Sequence, residues 1–184
     1  MEASVILIMS AKEFNLSFLR KLSYRQINLI GLVTCITAML FAVGFLQHFL
    51  LLEPCPLCVI TRVIVITLSL VFFIALIHNP AQIGQRIYAL FAIAVGLTGL
   101  GVQFRHIWLQ NLPPDQVPAC GPGLEFLLET QPLFSALRQV FQGSGDCAEI
   151  DWIFLGLTIP MQTALLFIFL LALAIWQLVR KPSS

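Results

Sequence analysis

Apolar residues run nearly unbroken through four stretches of the chain, residues 27–47, 57–77, 87–109 and 160–179. Each has the ~20 residues that a helix needs to cross a bilayer's hydrocarbon core. The pattern predicts an all-α membrane protein, a four-transmembrane-helix bundle with a long loop between helices three and four, residues 110–159. Small residues recur in the third stretch, where Ala92, Gly96 and Gly99 let helix backbones approach closely in lipid. Gly101 continues that run of small residues. The second stretch stops near His78, Asn79 and Pro80. His48 and His78 stand at span ends, where amphipathic rings collect.

Composition sharpens this picture. Hydrophobic residues make up 59% of the 184 positions and charged residues 10%, against about 25% charged in soluble domains. Mean hydropathy is +0.93. A net charge of +1, with no basic patch, gives no sign of a nucleic-acid partner. Lys12, Arg20, Lys21, Arg25, Arg86, Arg180 and Lys181 all fall on one side of a four-span chain. Lys/Arg excess marks the cytoplasmic side. Residues 1–26 and 180–184 are therefore expected in the cytoplasm, flanking a transmembrane domain over 27–179. Residues 1–26 lack a cleavage-site pattern and lead into a run long enough to stay embedded.

That orientation puts Cys55, Cys58, Cys120 and Cys147 at the outer face, where thiols form disulfides. Cys35, in mid-span, reads as a small apolar packing residue. Pro56 suits the first position of a helix, which places Cys55 and Cys58 on its first turn. Free N–H groups and the helix dipole favour an anion there and lower a thiol's pKa. Arg62, four residues past Cys58, adds a cation on the same face. Together they outline a redox site. Arg105 and His106 end the third span at the same depth, either as interfacial anchors or as polar contacts to a ligand. Cys120 and Cys147 lie in the loop among Gly-containing turns and meet only if the loop folds back. The run from Trp152 to Ile159 reads as a helix lying in the interface.

Residues 27–180 resemble the disulfide bond formation protein B (DsbB) family, quinone-linked oxidases of the bacterial inner membrane. The resemblance rests on Gln47-His48 through Pro-Cys55-x-x-Cys58 to Arg62, and on Gly145-Asp146-Cys147-Ala148-Glu149 with Trp152, Phe154-Leu155-Gly156-Leu157 and Pro160. It implies that Cys55 and Cys58 exchange electrons with ubiquinone or menaquinone, Cys58 facing the ring, with Arg62 and His106 beside it. It implies that Cys120 and Cys147 are the loop pair, now periplasmic, that oxidises a soluble thioredoxin-like partner of the DsbA type, with Cys120 forming the mixed disulfide. Cys35 and residues 1–25 fall outside the family pattern. A strongly oxidising partner, with E°′ of about −120 mV, requires a high-potential acceptor such as quinone.

Vitamin K epoxide reductase-like proteins share the CxxC and four helices but carry the loop cysteines before the CxxC; here the long loop follows it. A disulfide-stapled membrane protein without activity has no need of a cysteine pair at a helix N-terminus beside an intramembrane arginine. A zinc site of four cysteines is disfavoured by the oxidising compartment and the wide Cys120–Cys147 gap. No metal is expected.

Overall fold

The computed structural model describes residues 22–113, 115–119, 126 and 129–180. The expectations for Lys12, Arg20, Lys21, Cys120 and Lys181 lie outside these residues. Among the described residues, four helices are long and apolar enough to cross a membrane. The first, α1 (Tyr24–Leu40), starts at a capping box in which Ser23 and Gln26 bond each other's backbone N–H. It continues as a π-helix over Phe41–Phe49, whose i→i+5 bonding often accompanies functional sites. Phe41, Phe45 and Phe49 stack along that segment with ring centroids 5.2 and 5.5 Å apart. After a turn at Leu51, whose φ is 55°, the chain enters α2 (Pro56–His78). Asn79 ends α2 in the left-handed conformation, a C-terminal role open to Asn. Helix α3 (Gln82–Gln110) follows at once, and α5 (Ile159–Val179) closes the bundle.

Helix α3 lies closest against α5. A Cβ added at Gly99 would sit 2.4 Å from the ring of buried Phe167, and one at Gly96 would sit 2.9 Å from Leu171. The small-residue pattern is therefore a helix contact, but Gly101, with nothing within 4 Å, takes no part. Cys35 is fully buried with Val65, Leu68, Phe72 and Phe167, as a packing residue should be. At the end carrying Arg25, Arg86 and Arg180, the first and last spans are tied by polar bonds. Gln177 Nε2 donates to Asn28 Oδ1 at 3.2 Å, and Arg180 donates to the Leu22 carbonyl at 3.0 Å. His78 meets the Tyr88 hydroxyl at 2.9 Å near the same end.

The loop holds more structure than its sequence pattern announces. An amphipathic helix, α4 (Leu133–Gln142), buries Val140 and exposes Phe134. The interfacial helix expected over Trp152 to Ile159 is instead an antiparallel hairpin, β1 (Ile153–Phe154) with β2 (Leu157–Thr158). Leu155 and Gly156 turn it with φ of 53° and 79°. Positive φ at both central residues is the tight two-residue hairpin turn whose twist suits the strands. Trp152 anchors the hairpin, stacking on Phe154 at 5.7 Å and meeting Phe41 at 5.8 Å. Ile153, Phe154 and Leu155 still present an apolar surface.

Candidate functional site

The site forms where α2 begins. Cys55 is the N-cap residue, with extended φ and ψ, and Pro56 occupies the first helical position. The Cys55 sulfur accepts from the Cys58 N–H at 3.4 Å, in the place where a capping oxygen normally sits. The two Sγ atoms are 3.0 Å apart. Cys55 is thus the cap and Cys58 alone stands within the first turn, a small correction to the reading that put both there.

Buried polar side chains fix α3 against α2 at this level. Thr61 donates its hydroxyl to the Leu57 carbonyl at 2.8 Å, and Gln103 Nε2 donates to that hydroxyl at 2.7 Å. His106, three residues past Gln103, is then carried to Cys55, its Nε2 3.8 Å from the sulfur. Of the two readings open to His106, the surface anchor fails: the side chain is 4% exposed. Its neighbour Arg105 turns outward, donating to the Phe141 carbonyl at 3.3 Å and lying 4.2 Å over the Trp108 ring.

Cys147 arrives from the loop. Gly143, at φ 83°, ends α4 so close to Leu109 that a Cβ would lie 2.4 Å from its methyl carbon. A 3₁₀ turn over Gly145–Cys147 follows, and Cys147 packs fully buried among Leu57, Val102 and Leu109, with Cys55 beside it. Glycine-containing turns surround this cysteine as the sequence suggests, yet they seat it firmly. The hydrogen bond between Cys147 and Cys55 pushes the Cys147 thiol's pKa up, and burial adds to this. The same bond pulls Cys55 down, but its bond to Cys58 and burial outweigh that and push it up to about 12. Cys120 lies outside the described residues.

On the other side of Cys58 lies a cavity of about 110 Å³. Cys58, Arg62, Gln103 and His106 supply its polar corner, and Ala42, Leu46, Val65 and Leu166 its apolar wall. Arg62 Nη1 donates to Gln47 Oε1 at 2.6 Å, so the π-helical end of the first span orients the guanidinium. A second, smaller cavity shares Cys58, His106 and Asp151 with the first and reaches Cys55, Gln110, Asp146 and Glu149. The structure therefore brings together five of the six residues singled out from the sequence: Cys55, Cys58, Arg62, His106 and Cys147. Sequence reasoning missed Gln47, Thr61 and Gln103 as members. The signal they offered was a polar side chain inside or at the end of an apolar run.

An arrangement of this kind can pass electrons from sulfur to sulfur and on to a flat acceptor beside Cys58. The chain is 49% identical to the disulfide bond formation protein B of Nitrosococcus oceani over 160 residues, 87% of this chain and 94% of that protein. It is 46% identical to those of Saccharophagus degradans and Acinetobacter baylyi, over 86% of this chain in both cases and 95% and 93% of theirs. Residues 24–177 match the family described as disulfide bond formation protein DsbB. The chain belongs to that family, multi-pass membrane proteins with disulfide oxidoreductase activity in disulfide bond formation.

Proposed function

We propose that this protein is an inner-membrane thiol:quinone oxidoreductase that reoxidises a periplasmic DsbA-like dithiol oxidase. The observation that carries this reading is the two-sided placement of one cysteine pair. Cys55 touches Cys147 of the loop, and Cys58 opens with Arg62 into an intramembrane cavity. The one-sided distribution of Lys and Arg supports cytoplasmic termini and periplasmic cysteines.

In the proposed cycle, the partner's dithiol reduces the Cys120–Cys147 disulfide and leaves oxidised. Cys147, as thiolate, attacks the Cys55 sulfur of the Cys55–Cys58 disulfide, and Cys58 departs as thiolate. Cys120 then attacks Cys147, which restores the loop disulfide and releases Cys55. The Cys55–Cys58 dithiol gives two electrons and two protons to a membrane quinone, which leaves as quinol. The contact between Cys147 and Cys55 supports Cys55 as the sulfur attacked. The N-cap geometry, with the helix dipole behind Cys58, favours Cys58 as the leaving thiolate. Cys147 must lose its proton before attacking, and its raised pKa makes that step slower as pH falls. Arg62, held by Gln47, offers donors to an acceptor's oxygen or to the Cys58 thiolate.

Purified protein in lipid nanodiscs, supplied with a reduced DsbA-type partner and ubiquinone or menaquinone, tests the reading. Cys120→Ser and Cys147→Ser should each stop partner oxidation while the Cys55–Cys58 dithiol still bleaches quinone absorbance. Cys55→Ser or Cys58→Ser should stop quinone reduction. Undiminished partner turnover by Cys147→Ser would sink the relay.

A further inference from the structure

The smaller cavity has a composition that electron transfer does not explain. Its inner end holds the Cys55 and Cys58 sulfurs and the His106 imidazole, whose ligand atoms all lie within 4.8 Å of one another. Cys147 packs beside Cys55 from the loop side. Its outer end is lined by Asp146, Glu149 and Asp151. Gln110 joins them, its Oε1 buried without a hydrogen-bond partner among the described residues. Arg62 opens on the larger cavity and is engaged by Gln47.

We propose that the reduced protein binds one thiophilic divalent cation, zinc being the type, through Cys55, Cys58 and His106, with water in the fourth position. Two thiolates and one imidazole, with water in the fourth position, are an established zinc set. Zinc bond lengths of about 2.3 Å to sulfur and 2.0–2.1 Å to nitrogen put tetrahedral S···N pairs about 3.6 Å apart and S···S pairs about 3.8 Å apart. The Cys55–His106 separation is 3.8 Å, and the Cys55–Cys58 separation of 3.0 Å has to open by a small side-chain rotation. Each thiol that becomes a ligand releases one proton, and no electron moves. The carboxylates give a hydrated cation an approach of matching charge, and Gln110 offers an unused acceptor to its water. This set differs from the four cysteines considered in the sequence: His106 and a water stand where Cys120 and Cys147 would. The oxidised protein, with no thiol at Cys55 or Cys58, has no such site. The cation is therefore an inhibitor that holds the protein reduced, whatever the electron acceptor is.

Cobalt(II) is the probe, used on full-length protein carrying Cys35→Ser and Cys120→Ser, reduced and then freed of reductant. The expected result is a thiolate-to-cobalt absorption band that saturates at one cobalt per chain, disappears on adding zinc, and is absent after oxidation with diamide. His106→Ala and His106→Gln should each weaken cobalt binding by at least about ten-fold, and Cys147→Ser should leave the band in place. Circular dichroism checks that each variant is folded. An equal band in oxidised protein, an unchanged band in Cys58→Ser, or no band at saturating cobalt overturns the proposal. Unchanged affinity in both His106 variants overturns the assigned ligand set. The oxidant is a small diazene, so failure here is separable from failure of the quinone reading.

Discussion

Arg62 is the residue on which the acceptor side of the proposed reaction turns. A charged side chain inside a span costs several kcal/mol unless it faces the bundle interior or a polar partner, and here the partner is Gln47 at 2.6 Å. Lysine in its place keeps a positive charge but loses the planar fork of donors; alanine loses both. Both variants should raise the KM for quinone, alanine by more, while thiol exchange between the partner and the loop pair is spared. Gln47→Leu should act in the same direction and more weakly, because it frees the guanidinium without removing it. Unchanged quinone kinetics with a lower protein yield in Arg62→Ala would make Arg62 a snorkelling side chain instead. Arg62 was legible in the sequence because a lone cation in an apolar run is conspicuous. His106 was half legible, as an ionisable group at the right depth. Gln47 and Gln103 were not, because their partners lie 15 and 42 residues away and only helix packing brings them into register.

At the level of elements, the closest contact is that of α3 with α5 through glycine. Gly99→Ala places a methyl against the buried Phe167 ring, which has no room to turn aside. Overpacking of this kind costs about 1–3 kcal/mol. Gly101→Ala, two residues on and facing open space, should not destabilise and should gain the roughly 0.5–1 kcal/mol by which a helix interior favours alanine over glycine. Unfolding of the two variants in mixed micelles by denaturing detergent makes the comparison, and equal stability would show that the interface yields more readily than its spacing implies. The four spans were legible because lipid imposes a length and an apolarity that nothing else in a sequence imitates. The hairpin was not, since its strands are two residues each and their apolar residues match an interfacial helix as well. Its one local clue was Gly156, the glycine that the turn's positive φ favours.

Across the whole molecule, the two ends of the bundle are built differently. The end with Arg25, Arg86 and Arg180 is cross-tied by Asn28–Gln177 and by Arg180 to Leu22. The cysteine end holds the two cavities that meet at Cys58, and there the first span has exchanged α-helical for π-helical bonding. Such a bundle behaves mechanically like a tweezer with a welded hinge, its compliance gathered at the tips. Amide hydrogen exchange should record this as a gradient along the first span, with slow exchange over residues 24–40 and faster exchange over 41–49. A uniform profile would mean that the π segment is as stiff as the helix that carries it. For the acceptor proposed above, a stiff base with yielding jaws would let a bulky, flat molecule enter and leave beside Cys58 at the cost of a few local hydrogen bonds.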